Sequence, residues 1–281
     1  MRPSVLPSLL GVTLLAAGCA EQPPVLSVPD DAEIVLATTT SVRDAGVLEL
    51  LLQPFETTLG YRVKVIAVGS GQALEIGRRG DADMLITHDV DAEVAFMQDG
   101  FGAARAPLMR NEFVVVGPER DEAGVRGRSA ADAVRAIHAS RSRFVTRADR
   151  SGTHSREKRL WEAAGIVPGG EWYLESGQGM SATLQIADQL QAYALTDIGT
   201  FVSHKYRLDL EVLVEGDSVL ANPYHILLVN PARFPWVNYE GAQSLSAYLR
   251  GGAAQRAIAE FGRRQYGRPL FEPFAPTDGM R

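Results

Sequence analysis

The feature that most constrains this chain is the way short apolar runs and helix-spaced runs take turns along it. Ile34 to Ala37 is a short apolar run that ends in threonines, and Val47 to Phe55 carries apolar residues at helical spacing. Arg62 to Val68 alternates and is rich in Val, so it reads as a second strand, followed by a helix over Gly71 to Arg79. Asp83 to Thr87 reads as a third strand and Val90 to Gln98 as a helix, with Gly100 just past its end. Strands that alternate with helices predict an α/β fold, a mainly parallel sheet with helices on both faces. Phe113 to Val116 is a strongly apolar strand stopped by Gly117-Pro118, and the charged stretch Glu119 to Arg128 is a loop. The alternation then restarts. Ser129 caps a helix through His138, Phe144 to Thr146 is a strand, and Ser151 to Ala164 and Met180 to Leu190 are helices. Ala192 to Leu195, Leu210 to Val214 and the long apolar run Tyr224 to Asn230 are strands. Helical runs near Gly241 to Arg250 and Ala253 to Arg263 follow.

The pattern divides into two α/β halves of similar size, and 281 residues suffice for each to bury a core of its own. The apolar segments near Phe113 and His225 are the natural crossings between them. One lobe is expected from residues 33–115 with 225–281 and the other from 116–224, a hinged clamp with ligand held between. A hydrophobic fraction of 46% with a net charge of −6 excludes disorder as the main state, and the acidic balance speaks against a nucleic-acid surface. The single Cys excludes a disulfide framework and a Cys-based zinc site.

Residues 1–18 read as a secretory signal: Arg2 supplies the positive end, and Leu9 to Ala17 is apolar but too short to span a bilayer. Cys19 follows Ala16-Ala17-Gly18, and this stretch resembles a bacterial lipobox with its Leu one position early, at Leu15. Acylation of Cys19 as the first mature residue is one reading; an ordinary cleaved signal with an incidental Cys is the other. Residues 19–32 would then be the anchor and its tether.

Four polar turns open helices: Thr38-Thr39-Thr40-Ser41, Gly69-Ser70-Gly71-Gln72, Arg147 to His154, and Ser176-Gly177-Gln178-Gly179-Met180. At a helix start the first backbone N–H groups are free, the macrodipole is positive and Gly allows close approach. In open α/β sheets such turns gather at the carboxyl ends of strands, where ligands bind. Donor N–H and O–H groups with one Arg suit an anion that has several acceptor oxygens and nothing to donate. A hydrogen bond to a charged group contributes about 1.5–3 kcal/mol net and a helix terminus roughly 0.3–1, so tight binding needs several turns at once. Each turn also has an ordinary reading as an N-cap, and Arg147 as a partner of Asp149. His88, His138, His204 and His225 are isolated, and Asp81, Asp83, Asp89 and Asp91 read as a solvated edge rather than a metal cluster. A hydrolytic pair of Ser151 and His154 is the reading from another class; residues three apart at a helix start rarely meet its geometry.

Taken together, Ala37 to Ser41, Val68 to Ala73, Arg79 to Asp83, His88-Asp89, Asn111 to Pro118, Arg147 to His154, Ser176 to Met180, Tyr193 to Asp197 and Asn222-Pro223-Tyr224 resemble the tungstate-binding proteins of bacterial ABC transporters. The matches run in order from about Ile34 to Pro231. The resemblance implies a type II periplasmic binding fold that captures tungstate or molybdate, outside the cytoplasm, and delivers it to a membrane permease. It implies no cofactor, no cationic metal and no catalysis. A monomer is expected, touching the membrane only through a lipid anchor and binding no nucleic acid. The family signature falls on Thr38 to Ser41, its anion-contacting Arg on Arg147, and its Ser-Gly-Thr on Ser151 to Thr153. The expected oxyanion site is Thr39, Thr40, Ser41, Ser70, Gly71, Arg147, Ser151, Thr153, Ser176, Gly177 and Gln178. This chain has Ala148 and Arg150 where the family usually has Gly and Asp, and Ser181 where it has Gly; Ser70 keeps the hydroxyl of a frequent Thr. Arg150 adds charge that bears on selectivity. A phosphate- or sulfate-binding protein is the alternative, and the direction of the Asp149 carboxylate discriminates, since an acceptor aimed into the site suits a protonated oxyanion.

Overall fold

The computed structural model describes residues 33–149 and 151–274; the expected signal segment, Cys19 with its tether, and Arg150 lie outside the described residues. The strands are β1 (Glu33–Thr39), β2 (Arg62–Val68), β3 (Met84–Thr87), β4 (Gly102–Pro118), β5 (Phe144–Thr146), β6 (Tyr173–Glu175), β7 (Ala194–Asp197), β8 (Leu210–Val214), β9 (Ala221–Val229) and β10 (Glu272–Pro273). The helices are α1 (Thr40–Ala45), α2 (Val47–Leu59), α3 (Ser70–Arg78), α4 (Val90–Gln98), α5 (Ala130–Ser140), α6 (Gly152–Ala163), α7 (Met180–Leu190), α8 (Ile198–His204), α9 (Tyr239–Arg250), α10 (Gly252–Glu260) and α11 (Arg263–Tyr266).

Strand β1 lies between β2 and β3 and runs parallel to both. Its register pairs Thr39 with Val68 and Thr38 with Ile86, so all three strands end level. Thr40, Gly69 and His88 therefore leave the sheet along one carboxyl edge. Strands β1 and β3 are apolar because helices cover both faces, whereas β2, at the sheet edge, is only partly covered. One cluster joins Ile34, Leu36, Phe55, Leu245 and Ile258; the opposite one joins Ala37, Leu74, Leu85 and Phe96.

The long strand β4 ties the molecule together. It pairs with β9 from Gly102↔Val229 to Glu112↔Ala221, then with β7 from Phe113↔Asp197 and with β8 to Pro118↔Leu210. The strand period of two sends Phe113 and Val115 into a cluster with Ile137, Trp161 and Tyr193, and Val114 and Val116 into another with Leu184 and Phe201. The strands β4 and β9 thus run side by side from one pair of cores to the other, and Asn111 sits opposite Asn222 at the passage.

Parallel pairing holds for β1 with β2 and β3, and for β5 with β6. The crossing strands differ: β9 is antiparallel to β3 and β4, and β7, β8 and β10 are antiparallel to β4. A chain that returns directly through a hinge has no helical crossover to force parallel pairing. The Thr-rich end of β1 is itself a helix start, giving α1, which ends at Gly46 with φ 83°. The strand expected from Phe113 begins at Gly102; Pro107 breaks the pattern there, and the pairing with β9 shifts register between Pro107 and Met109. The strand expected over Ala192 to Leu195 lies at Ala194–Asp197: the Ala192 N–H still bonds back to Ala187 of α7, and Tyr193 bridges in parallel to Phe144 of β5. The acidic residues read as a solvated edge are partly structural. Asp83 is buried and accepts the N–H groups of Val35 and Asn238, both at 2.7 Å, and Asp89 is buried at the start of α4. Among the described residues no helix is long and apolar enough to cross a membrane.

Candidate functional site

The first turn supplies Thr39 as N-cap of α1, with its hydroxyl 3.4 Å from the Val42 N–H and 3.1 Å from the Ser41 hydroxyl. Thr38 is spent on the Ile86 carbonyl at 3.1 Å, while Thr40 and Ser41 begin the helix. In the second turn Gly69 precedes α3, and Ser70 is its first residue. The Ser70 side chain is 0% exposed and its hydroxyl has no hydrogen-bond partner. A buried hydroxyl left without a partner costs about 1–3 kcal/mol, so such a group in a well-packed protein asks for an explanation.

The third turn follows β5. Arg147 is buried, and its Nε and Nη2 donate to Asp149 Oδ2 at 3.1 and 2.5 Å. The other oxygen, Oδ1, accepts the Ser151 N–H at 3.2 Å. Ala148 between them has φ 52°, a left-handed conformation that favours glycine. The Ser151 hydroxyl caps α6 by accepting from the His154 N–H at 3.2 Å, and Gly152 and Thr153 are buried. The fourth turn buttresses the third. The Ser176 hydroxyl lies 2.8 Å from that of Thr183 and 3.4 Å from the Arg147 carbonyl, and accepts from the Gln178 N–H at 3.3 Å. Gly177 and Gln178 remain exposed.

The second and third turns meet face to face. A Cβ on Gly69 would lie 3.8 Å from Ser151 Cα, and a Cβ on Gly152 would come within 2.8 Å of His88 Nε2 and 3.0 Å of the Ser70 hydroxyl. The starts of α3 and α6, carried by different cores, therefore lie close together, with the Ser70 hydroxyl and the His88 ring beside Gly152. Farther along α6, Arg159 pairs with Asp91 and lies 3.7 Å from Asp89, bridging to α4.

A family model described as a PBP superfamily domain matches residues 26–250. The chain belongs to the PBP superfamily. It is 39% identical over 279 residues to the tungstate-binding protein TupA of Peptoclostridium acidaminophilum, covering 97% of this chain and 98% of the relative. Among solved structures, the tungstate ABC transporter protein of Geobacter sulfurreducens superimposes with a TM-score of 0.76 at 42% identity, over 82% of this chain and 98% of that one. TupA from Desulfovibrio alaskensis G20 gives 0.75 at 38% identity, over 87% and 99%. The chain accordingly has the two-lobed α/β architecture of periplasmic binding proteins.

In this member of the PBP superfamily the hinge passage carries polar residues that do not stand out one by one in the sequence. His88 Nδ1 is 2.7 Å from Asn222 Oδ1, while Asn222 Nδ2 donates to Asn111 Oδ1 at 2.7 Å and to the Tyr224 hydroxyl at 3.0 Å. The His88 ring stacks on Tyr224 with centroids 4.9 Å apart. In the sequence His88 stands as an isolated histidine and within the His88-Asp89 piece of the family resemblance; its place beside the two polar turns depends on the strand order. Ser151 and His154 do not form a hydrolytic pair: the His154 Nδ1 is 3.1 Å from the Thr146 hydroxyl instead. Among the described residues no group of three or more His, Cys, Asp or Glu side chains is placed to hold a metal ion.

Next to Arg147 in the chain, Thr146 bonds a buried carboxyl group that forms no ion pair among the described residues. Glu157 is buried and accepts from Thr146 Oγ1 at 2.8 Å, Trp161 Nε1 at 3.1 Å and the Tyr173 hydroxyl at 2.6 Å. Burial pushes it up to about 7 from 4.5, against the pull of those donors. The folded state thus keeps a proton that the unfolded chain releases, and stability is lost as pH rises from 4.5 through about 7. The loss expected from this group is about 3 kcal/mol. Glu157→Gln should flatten that slope, which urea titrations at about pH 5 and about pH 8 would show. Equal pH slopes for variant and wild type would contradict it.

Proposed function

We propose that this chain is an extracytoplasmic solute-binding protein that holds tungstate, with molybdate the nearly isosteric second ligand, and hands it to the permease of an ABC transporter. The observation that carries the reading is the Ser70 hydroxyl, fully buried without a partner where the starts of α3 and α6 converge. A tetrahedral dianion supplies only acceptor oxygens, which is what an orphan hydroxyl, free helix N–H groups and a buried guanidinium lack. The relatives named tungstate-binding favour the same ligand class. In this reading residues 33–115 with 225–281 form one lobe and 116–224 the other. Thr40, Ser41, Ser70 and Gly71 hold one side of the anion, and Arg147, Ser151 and Thr153 the other. Thr39 serves as the cap of its helix, and Ser176 to Gln178 support Arg147 from behind. The chain acts as a monomeric carrier without catalysis, and Cys19 would tether it to the membrane by a lipid.

Asp149 argues against the phosphate alternative. Both its oxygens already accept, Oδ2 from Arg147 and Oδ1 from the Ser151 N–H, so its carboxylate is drawn toward the turn's own donors, which disfavours a role as acceptor for a protonated oxyanion. A thermal-shift panel tests the assignment. Tungstate and molybdate at about 100 times their dissociation constants stabilise a specific binder by about 2.7 kcal/mol, whereas sulfate and phosphate should leave the melting temperature unmoved. A shift with phosphate and none with tungstate would overturn the ligand assignment.

A further inference from the structure

Three hydrogen bonds tie the His88 ring into the passage between the lobes. In the amide orientation of this structure Asn222 Nδ2 serves two acceptors, Asn111 Oδ1 at 2.7 Å and the Tyr224 oxygen at 3.0 Å, so Asn222 Oδ1 accepts and His88 Nδ1 carries the hydrogen. The other ring nitrogen, Nε2, then has a bare lone pair. It faces the position a Gly152 Cβ would occupy, at 2.8 Å, and the orphan Ser70 hydroxyl borders the same point at 3.0 Å. The strand order places His88 on the same carboxyl edge as Thr40 and Ser70. The ring is held between Tyr224 and Phe113, so it cannot swing away.

Charge makes this nitrogen consequential. Arg147 is neutralised by Asp149, so the most obvious cation at the site brings no net charge. The titratable groups around His88 are Tyr224 on β9, Asp197 at the start of α8, Glu93 of α4 and Asp89 just before it. Glu93 is paired with Arg105 and His225, and Asp89 lies by Arg159. Burial holds His88 below the ordinary histidine range, while Asn222 and the carboxylates pull the other way. The ring is neutral when alone and surrounded by groups that favour a cation. A dianion arriving between α3 and α6 adds two more negative charges within the same low-dielectric space.

We propose that His88 faces the bound anion and takes up one proton at Nε2 as the anion enters, so that anion capture is coupled to protonation of this ring. The proton comes from solvent, and the new Nε2–H donates to an anion oxygen beside Ser70. The inference rests on the oxyanion reading of the cleft. Linkage then fixes the pH dependence: where free His88 is neutral and the complex holds the proton, affinity falls tenfold for each unit rise in pH.

The test is calorimetric titration of tungstate into the full mature chain between about pH 7.5 and about pH 9, where tungstate itself stays fully deprotonated, in buffers of different ionisation enthalpy. Wild type should show uptake of about one proton and a tenfold affinity loss per pH unit. His88→Gln keeps a neutral donor in that place and should bind about 10–100-fold more weakly near pH 7.5, with no uptake and a flat profile. Tight wild-type binding with no buffer dependence would overturn the inference and leave the oxyanion reading standing. Failure of wild type to bind tungstate would overturn both. If His88→Gln does not fold, ¹⁵N-histidine spectra of wild type decide: the ring stacked on Tyr224 must pass from bare to protonated at Nε2 on adding tungstate, and an unchanged Nε2 signal overturns the inference.

Discussion

Replacing Arg147 by alanine is expected to weaken tungstate binding by about 10²–10⁴-fold while leaving the fold intact. The guanidinium is buried at the mouth of α6 and uses Nε and one side of Nη2 on Asp149, which leaves the rest of its fork for a ligand. Its removal does two things at once. It deletes charge-assisted hydrogen bonds to the anion, and it leaves the Asp149 carboxylate unpaired beside an incoming dianion. The second effect is why the loss should exceed that of one hydrogen bond. Arg147→Lys should fall between, since it keeps the charge and loses the fork. The double variant Arg147→Ala with Asp149→Asn should recover part of the affinity. Calorimetry decides the matter, and near-wild-type affinity in Arg147→Ala would remove Arg147 from the site.

A side chain at Gly152 should be almost as damaging for a different reason. A Cβ there would lie 2.8 Å from His88 Cε1 and Nε2, too close for any real contact, and at a tight 3.0 Å from the Ser70 hydroxyl. The His88 ring cannot give, held as it is by Asn222 and Tyr224. These contacts join α6 to the opposite edge of the molecule, so an opened form accommodates the substitution and only the closed form is penalised. Gly152→Val should therefore fold with a normal circular dichroism spectrum and bind tungstate about 100-fold more weakly, because a ligand that needs closure loses whatever closure costs. Small-angle scattering should show wild type contracting on tungstate addition and the variant not. A variant that contracts and binds like wild type would contradict this account of the closed state.

Much of the architecture was legible because apolar runs report burial directly. Strands β1 to β3 could be read from Val and Ile content, and the level ending of these strands follows from parallel register. The first half of β4 was not legible: Gly102 to Asn111 carries Pro107 and two arginines, and only its neighbour β9 makes it a strand. Short elements such as β6 and α8 lack the length over which periodicity can speak. In the cleft, Ser70, Arg147 and Ser151 to Thr153 were visible as polar residues at helix starts. His88 and Asn222 stood out only as pieces of the family resemblance, with no role attached, because their partnership joins positions 134 residues apart and exists only once the crossing strands are in place. The Ser176 turn shows the opposite limit, since the same composition that suits an anion also suits a turn that supports its neighbour.

The most direct test of the central claim is the position of tungsten itself. Crystals grown with tungstate and measured at the tungsten absorption edge should give a single strong anomalous peak between the starts of α3 and α6, within hydrogen-bonding reach of the Ser70 hydroxyl and the Arg147 guanidinium through the anion oxygens. A peak elsewhere on the protein, or none at this place in crystals with the lobes closed, would contradict the account.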